Sequence, residues 1–326
     1  MKNSTNGDIL TEHQLEIFTG SCFPDLAIEI ASVLGLTVGK STTTFLPDSE
    51  IHVSLDNVVR GHDIFFIQSM TRPVNEALME LLLYIDAFRR ASANKINVML
   101  PYYPYARQER MSKGRESISA RVIADLIEKM GATRISFIDI HNPAIQGFFT
   151  IPVDPISAVP TLCNHLKQYD LSASVIVSPD VGRASLAGKY AERLNLPLTI
   201  MHKRRESINE VKTTHVIGEV TNKRPIVIDD MIASGSMVSQ IENLYKLGAT
   251  EKTWLVITHP ILLPKAIQSI INDERIEKVI VTNTLPLPSL AKQCNKIEQI
   301  SIAPLLAEII KRIHLDESIS NQLVLS

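Results

Sequence analysis

RPIVIDDMIASGS, residues 224–236, decides the reading of this chain. Pro225, Ile226, Val227 and Ile228 form an apolar run with the character of a buried strand. The run delivers two consecutive acids, Asp229 and Asp230, into a short loop of small residues, Ala233-Ser234-Gly235-Ser236. A helical pattern follows at once, with Val238, Ile241, Leu244 and Tyr245 on one face and Gly248 closing it. A small-residue turn between a strand and a helix N-terminus suits a phosphate. Free N–H groups and the positive end of the helix dipole face the anion, and small side chains let it approach. The acid pair adds acceptors for vicinal hydroxyls, directly or through a magnesium ion. The segment therefore reads as a sugar-phosphate site, specifically for ribose 5-phosphate.

Outward from this segment, apolar runs alternate with helical periodicity, the signature of an α/β fold. Toward the N-terminus the spacing predicts a helix over 24–34 between Pro24 and Gly35, and a strand over 63–68. A helix follows over 74–91, with Val74, Ala77, Leu78, Leu81, Leu82, Ile85 and Phe88 on one stripe. Strand 96–103, helix 119–130 (Val122, Ile123, Leu126, Ile127, then Gly131) and strand 135–141 complete a first half. Strand 174–180, IVIDD, a helix to Leu247 and strand 253–259 repeat the plan. Two similar α/β domains are expected, and only the second should hold the ribose, because the first has Gln68-Ser69 where the second has Asp229-Asp230. Three prolines in IPVDPISAVP (151–160) mark the boundary. The expected domains are 1–158 and 159–311, with the tail 312–326 returning to the first.

Composition narrows the function classes. Hydrophobic residues at 45% and charged ones at 21% are those of a globular protein, and 326 residues leave room for two cores. A formal charge of −2 argues against a nucleic-acid binder. Three cysteines without CxxC spacing (Cys22, Cys163, Cys294) point to reduced thiols. MKNSTNGD lacks an apolar signal core, and LMELLLYIDAF is interrupted by Glu80 and Asp86, so neither export nor a membrane span is expected. The expected location is cytoplasmic.

Further segments carry chemistry. PYYPYARQERMSKGRES (101–117) packs Arg107, Gln108, Arg110, Lys113 and Arg115 into one loop, which suits a polyphosphate or a merely solvated basic surface. Of Tyr102, Tyr103 and Tyr105, at least two are expected in the core rather than stacked on a base. His141 and Asp180 each stand at a strand end before a helix, where ligands of parallel sheets bind. Together they could hold a magnesium ion mostly through its waters. MHKRRES (201–207) is a solvated edge unless it stands beside a phosphoryl-transfer site.

From about Ile17 to about Ser320 the chain resembles the ribose-phosphate pyrophosphokinases. The resemblance rests on VRGHDIFFIQS, PVNEALMELLLYIDAFRRASA, PYYPYARQER, IQGFF-IPVD, SPDVG, KRR, VIDDMI, TNTLPLP and APLLAEIIKRIH in the family order. It implies two tandem phosphoribosyltransferase-type domains, each a mostly parallel sheet flanked by helices. It also implies pyrophosphate transfer from ATP to the C1 hydroxyl of ribose 5-phosphate with magnesium, and hexamers built from dimers. Carried onto this chain, the nucleotide-binding residues are Asp48, Ser49, Glu50, Arg107, Gln108, Glu109 and Arg110. The catalytic pair is Lys203 and Arg205, with Arg205 also on the ribose 5-phosphate side. Asp229, Asp230, Ala233, Ser234, Gly235, Ser236 and Met237 bind ribose 5-phosphate, and His141 and Asp180 contact the metal. The chain departs from the family where LPDSE replaces FSDGE, where Arg183 takes the place of a second glycine, and where Ser236-Met237 replaces Gly-Thr. The altered loop leaves a non-catalytic regulatory subunit as the alternative, and an isolated phosphoribosyltransferase as a third reading.

Overall fold

Runs such as DIFFI and SVIVS have no polar face, and both are buried along their whole length. Strands of this kind belong in the middle of parallel sheets covered by helices on both faces. The computed structural model describes residues 13–205, 211–235 and 237–320, apart from the side chains of 202–205, 211–215, 239 and 240. The chain divides into two compact units, Met1–Ile156 with Ala303–Ser326, and Ser157–Ile302.

The first unit contains β1 (Leu15–Thr19), α1 (Pro24–Val33), a hairpin of β2 (Ser41–Phe45) and β3 (Ile51–Leu55), then β4 (Asp63–Ile67). It continues through α2 (Val74–Arg90), β5 (Lys95–Leu100), α3 (Ser119–Met130), β6 (Arg134–Ile138) and β7 (Val153–Ile156). Its five-stranded sheet, in the order β1-β4-β5-β6-β7, is parallel at every pairing.

The second unit contains α4 (Val159–Leu166), β8 (Ser174–Ser178), α5 (Ala184–Leu194), β9 (Leu198–Arg205), β10 (Val211–Ile217) and β11 (Arg224–Ile232). After these come α6 (Val238–Lys246), β12 (Thr253–Pro260), α7 (Pro264–Asn272), β13 (Ile276–Thr282), α8 (Ser289–Lys292) and β14 (Ile297–Ile300). Its sheet runs β10-β9-β8-β11-β12-β13-β14, with only β10 antiparallel. The block β8-β11-β12-β13-β14 repeats the order β1-β4-β5-β6-β7, so the topology carries the duplication that sequence identity barely shows. The hairpins differ: β9–β10 extends its sheet, whereas β2–β3 forms a sheet of its own.

The chain closes in α9 (Ala303–His314), which packs on α1 in the first unit. His314 Nδ1 approaches Asp63 Oδ2 at 3.4 Å, and Asn94 Nδ2 donates to Asp63 Oδ1 at 2.7 Å. The breaks between units fall at Ile156 and Ile302, against the expected 158 and 311, so α9 is not cut.

Two apolar stripes differ from expectation. In α3, Val122 and Leu126 are exposed while Ala120, Ile123, Ala124 and Ile127 face the core. In α2, Glu80 and Tyr84 are buried with Leu81, Ile85 and Phe88, and Val74 and Leu78 are half-buried. Glu80 tolerates burial because donors converge on it. Ser21 N–H lies at 2.8 Å, Thr43 Oγ1 at 2.7 Å and Gln68 Nε2 at 2.9 Å. This network lies beside the ends of β1 and β4, the place that the acid pair occupies in the second unit. A Cβ on Gly20 would stand 2.3 Å from Gln68 Oε1, so the pocket is filled by the chain itself. No helix among the described residues is long and apolar enough to cross a membrane.

Candidate functional site

In the second unit the site is organised by strands of unequal length. β11 pairs with β8 only as far as Val227, yet stays on β12 through Asp229, Met231 and Ile232. Asp229 and Asp230 therefore belong to the strand itself, not to the loop after it. They stand where β8 has ended and one edge of β11 is open. Asp229 Oδ1 accepts from the Asp230 N–H at 2.9 Å. Burial, and after it the hydrogen bond and charge of Asp230, push the Asp229 carboxyl well above the usual carboxylate range; Arg183 pulls the other way.

Among the described residues, Arg183 is a cation that meets this pair. Its Nε lies 3.1 Å from Asp229 Oδ1 and its Nη2 3.0 Å from Asp230 Oδ1. Sequence reading singled out Arg183 only as a departure from a family pattern. The hint available was that β8 and β11 must be neighbours, which brings residues following β8 beside the acids. Asp180 caps the turn that leads into α5, accepting the Arg183 N–H at 3.2 Å, and its carbonyl accepts from Ser178 Oγ at 2.7 Å.

The small-residue loop is tied down at its start. Leu262 N–H donates to Ile232 O at 2.9 Å and Leu263 N–H to Ala233 O at 3.0 Å. Gly235 adopts φ +82°, and Val238 N–H donates back to its carbonyl at 2.9 Å. Met237 is buried, and no side chain caps α6 among the described residues, so the positive end of the helix dipole meets this loop without a side-chain acceptor among those residues. Ser236 lies outside the described residues. A groove of about 650 Å³ borders this loop, lined by Ser234, Gly235, Lys265, Glu242, Asp273 and Arg275 among others. Its acids offset its cations, and Arg275 is already held by Asp273 at 2.8 Å. An anion is better served by the helix terminus.

Lys203 and Arg205 lie on β9, opposite Thr213 and Val211 of β10. Their side chains lie outside the described residues. The backbone places them on a strand parallel to β8, which pairs with it up to Ile200, so both lie past the end of β8. β8 alone separates β9 from β11, so the two strand axes are ~10 Å apart. The lysine–arginine strand and the acid pair thus share one edge of one sheet.

The first unit carries the other expected residues. Asp48, Ser49 and Glu50 form the exposed tip of the β2–β3 hairpin. Ser49 has φ +74°, and the Glu50 N–H donates to Asp48 Oδ1 at 3.2 Å. Phe45, beside them, is 52% exposed and offers the aromatic surface that Leu46 does not. Arg107, Gln108 and Arg110 are exposed. Gln108 Oε1 accepts from Ser119 Oγ at 2.7 Å, and Glu109 Oε1 accepts from Asn142 Nδ2 at 3.2 Å. Arg107, Arg110, Lys113 and Arg115 thus stay on a solvent-facing loop whose base is fixed. Tyr102 and Tyr103 are in the core, as expected of two of the three tyrosines. His141 is half-buried just past β6.

His141 and Asp180 fall in different units. Magnesium takes oxygen donors, usually one or two carboxylates with several waters. Asp180, Asp229 and Asp230 are carboxylates of that kind in the second unit, the last two already engaged by Arg183. Among the described residues no group of three or more His, Cys, Asp or Glu side chains could by itself hold a metal ion. The donor set fits an ion held largely by water and substrate.

Residues 15–131 match the family model described as the N-terminal domain of ribose phosphate pyrophosphokinase, and residues 205–324 match the phosphoribosyl synthetase-associated domain. The ribose-phosphate pyrophosphokinase of Bacillus subtilis is 40% identical over 309 residues, covering 95% of this chain and 97% of that protein. The one from Caldanaerobacter subterraneus is 44% identical over 310 residues, covering 94% and 97%. The crystal structure of phosphoribosylpyrophosphate synthetase from Mycobacterium smegmatis superposes with a TM-score of 0.87 at 39% identity, covering 93% of this chain and 99% of that one.

Proposed function

The chain belongs to the ribose-phosphate pyrophosphokinase family, and from that membership we propose that it transfers a pyrophosphoryl group from ATP to the C1 hydroxyl of ribose 5-phosphate. The observation that carries this reading is the acid pair at the open end of β11, followed at once by a small-residue loop at the N-terminus of α6. The acids accept from ribose hydroxyls. The N–H groups of 233–237 hold the 5-phosphate, with Ala233 and Gly235 giving it room.

The C1 hydroxyl loses its proton to solvent and its oxygen bonds to the β-phosphorus while the bond from that phosphorus to the α-phosphate oxygen breaks. AMP leaves, and phosphoribosyl pyrophosphate forms. Little covalent help is needed from the protein, so positioning and charge neutralisation supply most of the rate. Lys203 and Arg205 serve the transferred group. Arg107, Gln108, Glu109 and Arg110 serve the phosphates of ATP, and Asp48, Ser49 and Glu50 its base. Magnesium would neutralise polyphosphate charge when bound, and Asp180 would contact it from the second unit. The exposed β2–β3 tip fits a base reached from a second copy, and with it a homo-oligomer, a hexamer built from dimers, working in the cytoplasm.

Lys203→Ala tests the assignment. The variant is expected to fold as the wild type does and to lose nearly all AMP release. Wild-type turnover in the variant would remove Lys203 from the mechanism.

A further inference from the structure

Two carboxylates beside a sugar phosphate pose an electrostatic difficulty: the ligand is itself an anion, and like charges repel. Asp230 is buried to 2% exposure and Asp229 is half-buried, so solvent screens the pair poorly. Such a site needs a cation. In this chain one is already present, because the Arg183 guanidinium takes one oxygen of each acid, at 3.1 and 3.0 Å.

The arrangement is held from the backbone. Asp180 fixes the turn from which Arg183 projects, and β8 and β11 are paired neighbours, so the arginine reaches the acids from the adjacent strand end. Both contacts use Oδ1 atoms. A carboxylate has a second oxygen and further lone pairs, so engagement by the guanidinium is compatible with hydroxyl groups donating to the same acids. The planar fork of arginine spans two acceptors in a way that a lysine ammonium cannot.

We propose that Arg183 is the resident counter-cation of Asp229 and Asp230, a positioning residue that lets ribose 5-phosphate bind without a divalent cation. Magnesium is then required for ATP and for transfer, and not for holding the sugar phosphate. The inference rests on the reading of this site as a ribose 5-phosphate site.

The test is calorimetric titration of the wild type, R183K and R183M with ribose 5-phosphate, in excess EDTA and in millimolar magnesium. R183M keeps the buried stem without the charge, and R183K keeps a charge without the fork. The wild type is expected to bind equally well in both buffers. R183M should bind on the order of tenfold more weakly in EDTA, equivalent to about 1.4 kcal/mol, and recover in magnesium; R183K should fall between. A wild type that loses affinity in EDTA would overturn the proposal. So would R183M matching the wild type in EDTA, or a loss in R183M that magnesium does not restore, which marks a purely structural arginine. Should R183M fail to fold, the wild-type comparison and R183K still decide. AMP release measured on the same wild-type sample separates the two readings. Binding without AMP release refutes the proposed activity and leaves the role of Arg183 standing.

Discussion

Gly235→Ala isolates the loop geometry on which the sugar-phosphate site depends. Gly235 adopts φ +82°, and a Cβ there would stand 3.0 Å from Ala266 Cα and 3.5 Å from Ala266 Cβ in α7. An L-residue in this left-handed region costs about 1–2 kcal/mol, and forcing an extra methyl against a packed helix costs roughly another 1 kcal/mol. A fall in stability of about 2–3 kcal/mol follows. For a unit of this size, at ~2–4 °C per kcal/mol, the melting temperature should drop by about 4–12 °C. Trp254, the single tryptophan, lies buried on β12 against β11 and reports the unfolding of this unit by fluorescence. Relief of the contact moves the loop off α7, so KM for ribose 5-phosphate should rise tenfold or more, the value of about one hydrogen bond to a charged group. Gly188 provides the control. It sits inside α5 with no heavy atom within 4 Å of its would-be Cβ, so Gly188→Ala should gain about 0.5–1 kcal/mol from helix preference. Equal melting temperatures for Gly235→Ala and the wild type, with unchanged KM, would refute the reasoning.

In the first unit, Glu80→Ala strands donors from Ser21, Thr43 and Gln68 and should destabilise by about 3 kcal/mol or more, read by denaturant titration; a change within experimental error would contradict the network. Asp229 has its pKa raised by burial and by Asp230, so its ionisation weakens folding as pH climbs from the unfolded value, ~3.9, through the native one. Asp229→Asn should therefore melt higher than the wild type at pH 8, with the advantage shrinking toward pH 5, while ribose 5-phosphate binding falls; parallel pH profiles of the two proteins would contradict this. Burial pushes the thiols of Cys22 and Cys163 up to about 11 and about 12, so both should label slowly with iodoacetamide at pH 8 in the native protein and fast after denaturation. Rapid native labelling of either would contradict these raised values.

Much of the fold is legible in the chain because its central strands are covered on both faces. β4, β8, β11 and β12 read as plain apolar runs, and α1, α3 and α6 end at Gly35, Gly131 and Gly248, each with positive φ. The β2–β3 hairpin is not legible, since STTTF and IHVSL are polar, half-exposed strands with no core face to imprint a pattern. HKRR reads as a solvated edge, and its backbone lies on β9, paired with β10. Periodicity also misplaces Val122, Leu126, Glu80 and Tyr84. Glu80 is buried on account of donors from elements distant in sequence, and no helical repeat contains that information. The same holds at the candidate site. Asp229, Asp230 and the loop after them are local and readable, whereas the clamp of Arg183 across them exists only once β8 and β11 lie side by side.

Incubating the purified chain with ATP, ribose 5-phosphate and magnesium, and following the products by phosphorus NMR, bears most directly on the proposed activity. AMP and phosphoribosyl pyrophosphate are expected to appear in equal amounts. Formation of ADP in place of AMP, or no consumption of either substrate, would contradict it.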